Sequence, residues 1–228
     1  MPPMLACRLL VLDFDGVVLD SARIKAAAFC ELFDDRPGSH GDEILALHHR
    51  MTGQSRFRQF EAVYQDILHE PLTETQSRHL GERYSELFRD QILSCKPVPG
   101  ALEFLERHHR DHPIWLASGS PHQELLATLE HRDLRAYFAG VEGAPTLKAD
   151  TVRTALAHHG CAPAEAAFVG DAITDQAAAG ATDLRFLGVV QPGDSNPFPD
   201  GTSTIVDLHQ LGSLLGWTTP DTPEGRAG

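Results

Sequence analysis

The chain has 228 residues, 42% hydrophobic and 22% charged, which suits one large domain or a core with an insert and excludes a disordered segment. Its 19 Lys and Arg against 32 Asp and Glu give a formal charge of −13, a field that repels nucleic-acid duplexes and anionic membranes. The partner left is a small molecule, an anionic one included, because a few local cations, a metal or backbone N–H groups can reverse the sign inside one cleft. The four cysteines, Cys7, Cys30, Cys95 and Cys161, lie far apart with no C-x-x-C pair, which argues for reduced thiols. After Arg8 the apolar run is too short for a signal-peptide core, and no membrane-length run follows, so a cytoplasmic protein is expected.

Residues 8–14 (Arg-Leu-Leu-Val-Leu-Asp-Phe) form an apolar run leading into acid and glycine, the pattern of a buried parallel strand whose carboxyl end opens onto a site. Residues 21–95 are polar, rich in Glu, Gln, Arg and His, helical in period and without a convincing strand, which predicts a helical insert. Pro97-Val98-Pro99-Gly100 then disfavours continuing a helix and punctuates the return to the core. Beyond it, strands are predicted at 113–117, 166–169 and 184–190 with an edge at 202–206, and helices at 100–109, 121–130, 148–159 and 174–179. Strands alternating with helices predict an α/β fold, a Rossmann-like doubly wound parallel sheet. The expected division is a core over 1–20 and 96–216, an inserted α-helical cap over 21–95, and a tail over 217–228 with nothing to bury and hence disordered. Residues 21–23 and 96–99 are the hinge candidates.

The first strand ends in Asp13-Phe14-Asp15-Gly16, where a turn can aim two carboxylates differently around one ion, as a metal-assisted nucleophile with an acid/base partner requires. A solvated strand-to-loop turn uses the same residue types. Gly170-Asp171-Ala172-Ile173-Thr174-Asp175 follows another predicted strand, and parallel strands share one carboxyl edge, so Asp171 and Asp175 are expected to converge with Asp13. An all-oxygen set of this kind suits Mg²⁺. A helix start capped by acid explains one of these aspartates but not both clusters. Between them, the Ser118 hydroxyl and the Gly119 N–H in Ser118-Gly119-Ser120-Pro121 make an anion cradle near a helix start. Lys148 is one of three lysines, with Lys25 and Lys96, and stands ahead of a predicted helix. An N-cap turn for Ser118 and a solvated helix end for Lys148 are the plainer alternatives.

Taken in order, Asp-x-Asp-Gly, Ser-Gly, Lys and Gly-Asp-x-x-x-Asp at successive strand ends resemble the haloacid dehalogenase-like hydrolase superfamily. The insert after the first motif resembles the helical cap of its subclass I members, of phosphoglycolate phosphatase and β-phosphoglucomutase type. The resemblance implies a phosphatase in which Asp13 is the nucleophile that forms an aspartyl-phosphate and Asp15 is the acid and base. It implies Ser118 and Lys148 as holders of the phosphoryl group, and Mg²⁺ bound by Asp13, the main-chain carbonyl of Asp15 and Asp171, with Asp175 as a supporting or additional ligand. Asp15 must be protonated as the leaving oxygen departs, so a pKa raised by burial and neighbouring carboxylates is expected for it. Its presence also separates the chain from the superfamily's dehalogenases, which lack it, and from the transport ATPases, which carry a threonine-type residue there.

Within the insert, Gly53 lets backbone approach a ligand, and Ser55 and Arg56 are placed to reach the cleft, Arg56 pairing with an anion bidentately. An interhelical turn with solvated arginines is the alternative. The Gly-x-Ser-Arg stretch is similar to the cap loop of β-phosphoglucomutases, whose arginine reads a second phosphate, which keeps a hexose-phosphate mutase as an alternative function. Against it, Lys25 stands where those mutases carry a histidine, and Ala149 replaces the proline often found after the motif lysine. The expected function is therefore Mg²⁺-dependent hydrolysis of a small phosphorylated metabolite, a sugar phosphate or phospho-acid, with a non-catalytic binding protein as the remaining alternative. Lys25 pairs with Asp15 or the substrate when the cap closes, or is a surface lysine. His48 and His49 lack metal-ligand spacing, and no role is assigned to them.

Overall fold

The computed structural model describes residues 7–34 and 40–217. Between the first and second strands, the described chain builds helices α1 Ala22–Glu31, α2 Gly41–Arg50, α3 Arg56–Ala62, continued by the π-helical Val63–Leu68, and α4 Glu74–Ser94. The core carries strands β1 Leu9–Leu12, β2 Ile114–Pro121, β3 Gly140–Ala144, β4 Ala166–Gly170, β5 Arg185–Val189 and β6 Thr204–Ile205. Its helices are α5 Ala101–His108, α6 His122–His131, α7 Lys148–His159, α8 Ile173–Gly180 and α9 Leu211–Leu215. The strands form one parallel sheet in the order β3-β2-β1-β4-β5-β6.

β1 takes the interior of this sheet because its sequence, Leu-Leu-Val-Leu, is apolar on both faces, and all four residues are fully buried. Side chains alternate along a strand, so Leu10 and Leu12 join Leu105, Leu125 and Leu211 of α5, α6 and α9 in one layer. Leu9 and Val11 join Val152, Ala155 and Ala178 of α7 and α8 in the other. Each leucine or valine among them contributes roughly 1.5–3 kcal/mol on full burial. The expected doubly wound α/β core is thus observed, with a helical insert above it. No described helix is long and apolar enough to cross a membrane.

The insert is built around aromatic residues that are continuous with the buried layer on one face of the sheet. Tyr84 and Phe88 sit at the i,i+4 spacing that puts side chains on one face of α4, and with Phe29 of α1 and Phe33 just past its end they meet around Phe60 of α3. α4 begins with a capping box, Thr73 and Gln76 satisfying each other's backbone N–H groups. The two connections to the core run side by side: Asp20 N donates to Lys96 O at 2.9 Å, and Val98 N to Val18 O at 3.1 Å.

Three elements depart from the sequence expectation. β3 was not expected, because Gly-Val-Glu-Gly-Ala carries little apolar signal. Its Gly140 leaves the space that the Trp115 ring of β2 fills. The short helix α9 was not expected either. Trp217, assigned to the disordered tail, is instead buried: its Nε1 donates to Cys7 O and its ring stacks on His112 at 4.1 Å. Residues 218–228 of that tail lie outside the described residues.

Candidate active site

The chain builds β1, β2 and β3 outward in one direction, then returns to place β4 on the other side of β1. This reversal opens a crevice at the carboxyl ends of β1 and β4, where ligands bind in open α/β sheets. Asp13 follows β1 and its N–H donates to Val169 O of β4 at 2.9 Å. Asp171 follows β4, Ser118 lies in β2, Lys148 opens α7 and Asp175 sits in the first turn of α8. The four motifs therefore meet. Lys148 Nζ lies 2.9 Å from Asp13 Oδ1 and 2.6 Å from Asp175 Oδ1, and carboxylate oxygens of Asp13, Asp171 and Asp175 lie within 4.8 Å of one another.

These acids are crowded and dry. Burial, then the charge of Asp175, push the Asp13 carboxyl up to about 7 against the opposing pull of Lys148. Burial, then Asp13 and Asp175, hold Asp171 well above the usual carboxylate range. Burial works against the charge on Lys148, but Asp13 and Asp175 outweigh it and keep the ammonium protonated. Asp171 Oδ1 is buried without a hydrogen-bond partner. An orphaned oxygen among three carboxylates and one lysine fits a hard divalent cation such as Mg²⁺, which takes oxygen ligands. Gly16, with φ +78°, keeps the approach clear: a Cβ there would fall 2.1 Å from Asp171 Oδ2. Asp175 is within reach of the same ion, yet Lys148 holds its Oδ1 and Ala172 N donates to its Oδ2.

Asp15 sits in a different environment. Its Oδ1 accepts from Ser21 Oγ at 2.6 Å, and its Oδ2 from Lys25 Nζ at 2.5 Å and from Ser120 Oγ at 3.3 Å. Burial acts to raise its pKa, but the Lys25 charge and the Lys25 and Ser21 hydrogen bonds overcome it and hold the carboxyl below its usual range. The expected upward shift is thus reversed, because the nearest charge is a cation and not a second carboxylate. Sequence reasoning gave Ser21 only a hinge role and Ser120 none. Ser118 is buried, and its Oγ accepts from Ser120 N at 3.1 Å.

The insert covers this edge and leaves a cavity of about 960 Å³ between cap and core, with Asp13, Asp15, Lys25, Gly53 and Gly119 among its lining residues. The loop at Gly53 presses on the core: Thr174 Oγ1 donates to Thr52 O at 2.7 Å, and a Cβ on Gly119 would meet Gly53 O at 2.7 Å. Arg56 also lines the cavity, but its guanidinium is engaged. Its Nη2 donates to Glu124 Oε1 at 2.7 Å and its Nη1 to Ser85 Oγ at 2.5 Å, and it lies over the Tyr84 ring. Ser55 is the N-cap residue of α3.

A parallel sheet with a carboxylate and lysine cluster at its switch point, roofed by an inserted helical cap, defines a capped α/β enzyme. The chain belongs to the haloacid dehalogenase-like hydrolase family, whose model matches residues 7–182. No curated protein matches the sequence. Among solved structures, it is similar to a mutant of CbbY from Rhodobacter sphaeroides in complex with xylulose-(1,5)bisphosphate (TM-score 0.74, 15% identity, 93% of this chain and 100% of that one). It is similar to a hydrolase from Pseudomonas syringae (0.73, 20%, 93% and 100%). A third is a predicted phosphoglycolate phosphatase from Haemophilus somnus (0.71, 16%, 91% and 97%). At these identities the likeness is one of fold.

Proposed function

We propose that the protein is a phosphomonoester hydrolase acting on a small phosphorylated metabolite, a sugar phosphate or phospho-acid, through an aspartyl-phosphate on Asp13. The observation that carries this reading is the Asp13, Lys148, Asp171, Asp175 cluster at the sheet's switch point, one buried lysine among three buried or half-buried acids. An Asp13 oxygen attacks phosphorus as the bond to the leaving oxygen breaks, and Asp15 supplies the proton that oxygen takes. Water then attacks phosphorus as its bond to the Asp13 oxygen breaks, Asp15, ionised again, accepts the water's proton, and phosphate leaves with the Asp13 carboxylate restored. Lys148, Ser118 and the Gly119 N–H hold the phosphoryl oxygens, so that an anionic nucleophile can approach an anionic ester. Asp13, Asp171 and the Asp15 main-chain carbonyl would hold Mg²⁺, with Asp175 orienting Lys148; the ion would supply the positive charge that offsets the phosphoryl oxygens.

The mutase alternative has less support, since it asks Arg56 to take a second phosphate and Arg56 is already paired with Glu124. The test is phosphate release from phosphorylated sugars and phospho-acids, with Mg²⁺ or with EDTA, by the native protein and Asp13→Asn. Release that needs Mg²⁺ and vanishes in the variant is expected. Native protein that is silent on every ester would overturn the reading.

A further inference from the structure

The cap contributes a further polar group to the cavity, one the motifs do not include. His48 on α2 lines the cavity, is 7% exposed, and packs its ring on Phe29 at 4.7 Å. Its Nδ1 lies 2.8 Å from Gln59 Oε1. Gln59 is itself oriented: its Nε2 donates to the Gln54 carbonyl at 3.2 Å, so the oxygen end faces the histidine. An amide oxygen only accepts, so His48 must carry its proton on Nδ1 and leave Nε2 as a bare acceptor. No protein donor reaches Nε2 among the described residues, nor is that nitrogen among the buried atoms left without a partner. It therefore opens toward the cavity. Burial, with smaller repulsion from His49 and Lys25, pushes the His48 pKa down to about 4, so the ring stays neutral at pH 7.

We infer that His48 Nε2 accepts a hydrogen bond from a hydroxyl of the leaving group, making His48 a specificity-determining residue for polyhydroxy phosphate esters; this rests on the phosphomonoesterase reading above. Arg56, one of the arginines that line the cavity, is held by Glu124, and a neutral acceptor reads a hydroxyl where it would repel a second phosphate or a carboxylate. Gln59 and the Gln54 carbonyl act through His48 as positioning groups. The Gln54 carbonyl belongs to the same cap loop that presses on Gly119, which couples the acceptor's orientation to cap closure.

The test compares the native enzyme with His48→Phe, which keeps an aromatic ring against Phe29, and with His48→Gln, which can return an acceptor near the Nε2 position. Substrates are a pentose phosphate and a hexose phosphate, each beside its deoxy analogues, with p-nitrophenyl phosphate as the ester that has no hydroxyl on its leaving group. The ratio of kcat/KM for each sugar ester to that for p-nitrophenyl phosphate cancels any general folding loss. It should fall about tenfold in His48→Phe, the worth of one hydrogen bond, and recover partly in His48→Gln. In the free protein, nitrogen-detected NMR of the ring should report the Nδ1–H tautomer. An unchanged ratio in a native-like His48→Phe, or an Nε2–H tautomer, overturns the inference and leaves the phosphatase reading standing. If the native enzyme hydrolyses no ester at all, p-nitrophenyl phosphate included, the phosphatase reading falls and this inference falls with it.

Discussion

The Arg56 guanidinium on α3 donates to the Glu124 carboxylate on α6 across 2.7 Å, tying the cap to the core. Arg56 is buried while Glu124 is 28% exposed at its side chain, and Ser85 Oγ donates to the free Glu124 oxygen at 2.6 Å. Removing the acid leaves a buried guanidinium with only Ser85 and the Gly81 carbonyl. Glu124→Ala should therefore cost about 1–3 kcal/mol of stability in urea unfolding. Arg56→Ala should cost more, because it also removes the stack on Tyr84. Since the pair spans cap and core, Glu124→Ala should raise KM more than it lowers kcat. Wild-type stability and KM in this variant would show that the pair is incidental.

Lys25 holds Asp15 ionised in the closed cap, which is the form needed to take a proton from water. It is the wrong form for giving one to the leaving group. If Asp15 is the acid, Lys25 sets how high in pH the first step can run. Lys25→Met removes the cation that outweighs burial, so the Asp15 pKa should rise and the alkaline limb of the kcat/KM profile should move to higher pH. The measurement is that profile for native and variant on one substrate. A limb that stays in place would separate Asp15 from the proton transfer.

The motifs were legible where chemistry and topology coincide. Asp13 and Asp15 are two residues apart, and the shared carboxyl edge of parallel strands suffices to bring Asp171 to them, whereas Lys148 follows β3, a strand with little apolar signal. The cap's contribution was not legible. Thr174 and Thr52 meet across 122 residues and Arg56 and Glu124 across 68, contacts set by how the cap packs on the core and by no local pattern. Arg56 itself illustrates this: it was expected to read an anion in the cleft, whereas it opens α3 and pairs with a core glutamate on a helix that carried no motif. The Asp15 pKa was misjudged for a related reason. Neighbouring carboxylates are visible in the motif, whereas the lysine and serine that outweigh burial come from the start of the cap.

Asp13 binds its proton more tightly in the folded chain than its ordinary value of 3.8 would allow, at about 7. A raised carboxyl pKa favours the fold while the group is protonated, below about 3.8, and this contribution is lost as pH rises through about 7. Asp13→Asn removes that titration. In metal-free protein the variant should thus become more stable relative to native as pH rises across this window, measured by urea unfolding at a series of pH values. Mg²⁺ should reverse the order, because the native carboxylate then has a cation to bind and the amide binds it poorly. A native-to-variant difference flat in pH and unmoved by Mg²⁺ would remove Asp13 from the ion's site.

Gly53 sits at φ +82° with the space for a Cβ already filled: Thr174 Oγ1 would lie 2.0 Å away and Lys148 Nζ 3.2 Å. Gly53→Ala is strained in backbone and blocked in space, and both faults are relieved if the loop lifts off the core. The variant should therefore keep most of its global stability, because the buried apolar clusters are untouched, while the closed site is lost. A displacement of about 1 Å at a closing loop costs on the order of a hundredfold in rate, so kcat/KM should fall by about that much. Thr174→Ala in the same chain removes the atom nearest the new methyl and should recover part of the loss. Recovery would locate the defect at the contact between loop and core, while an equally slow double variant would assign it to the backbone conformation of Gly53.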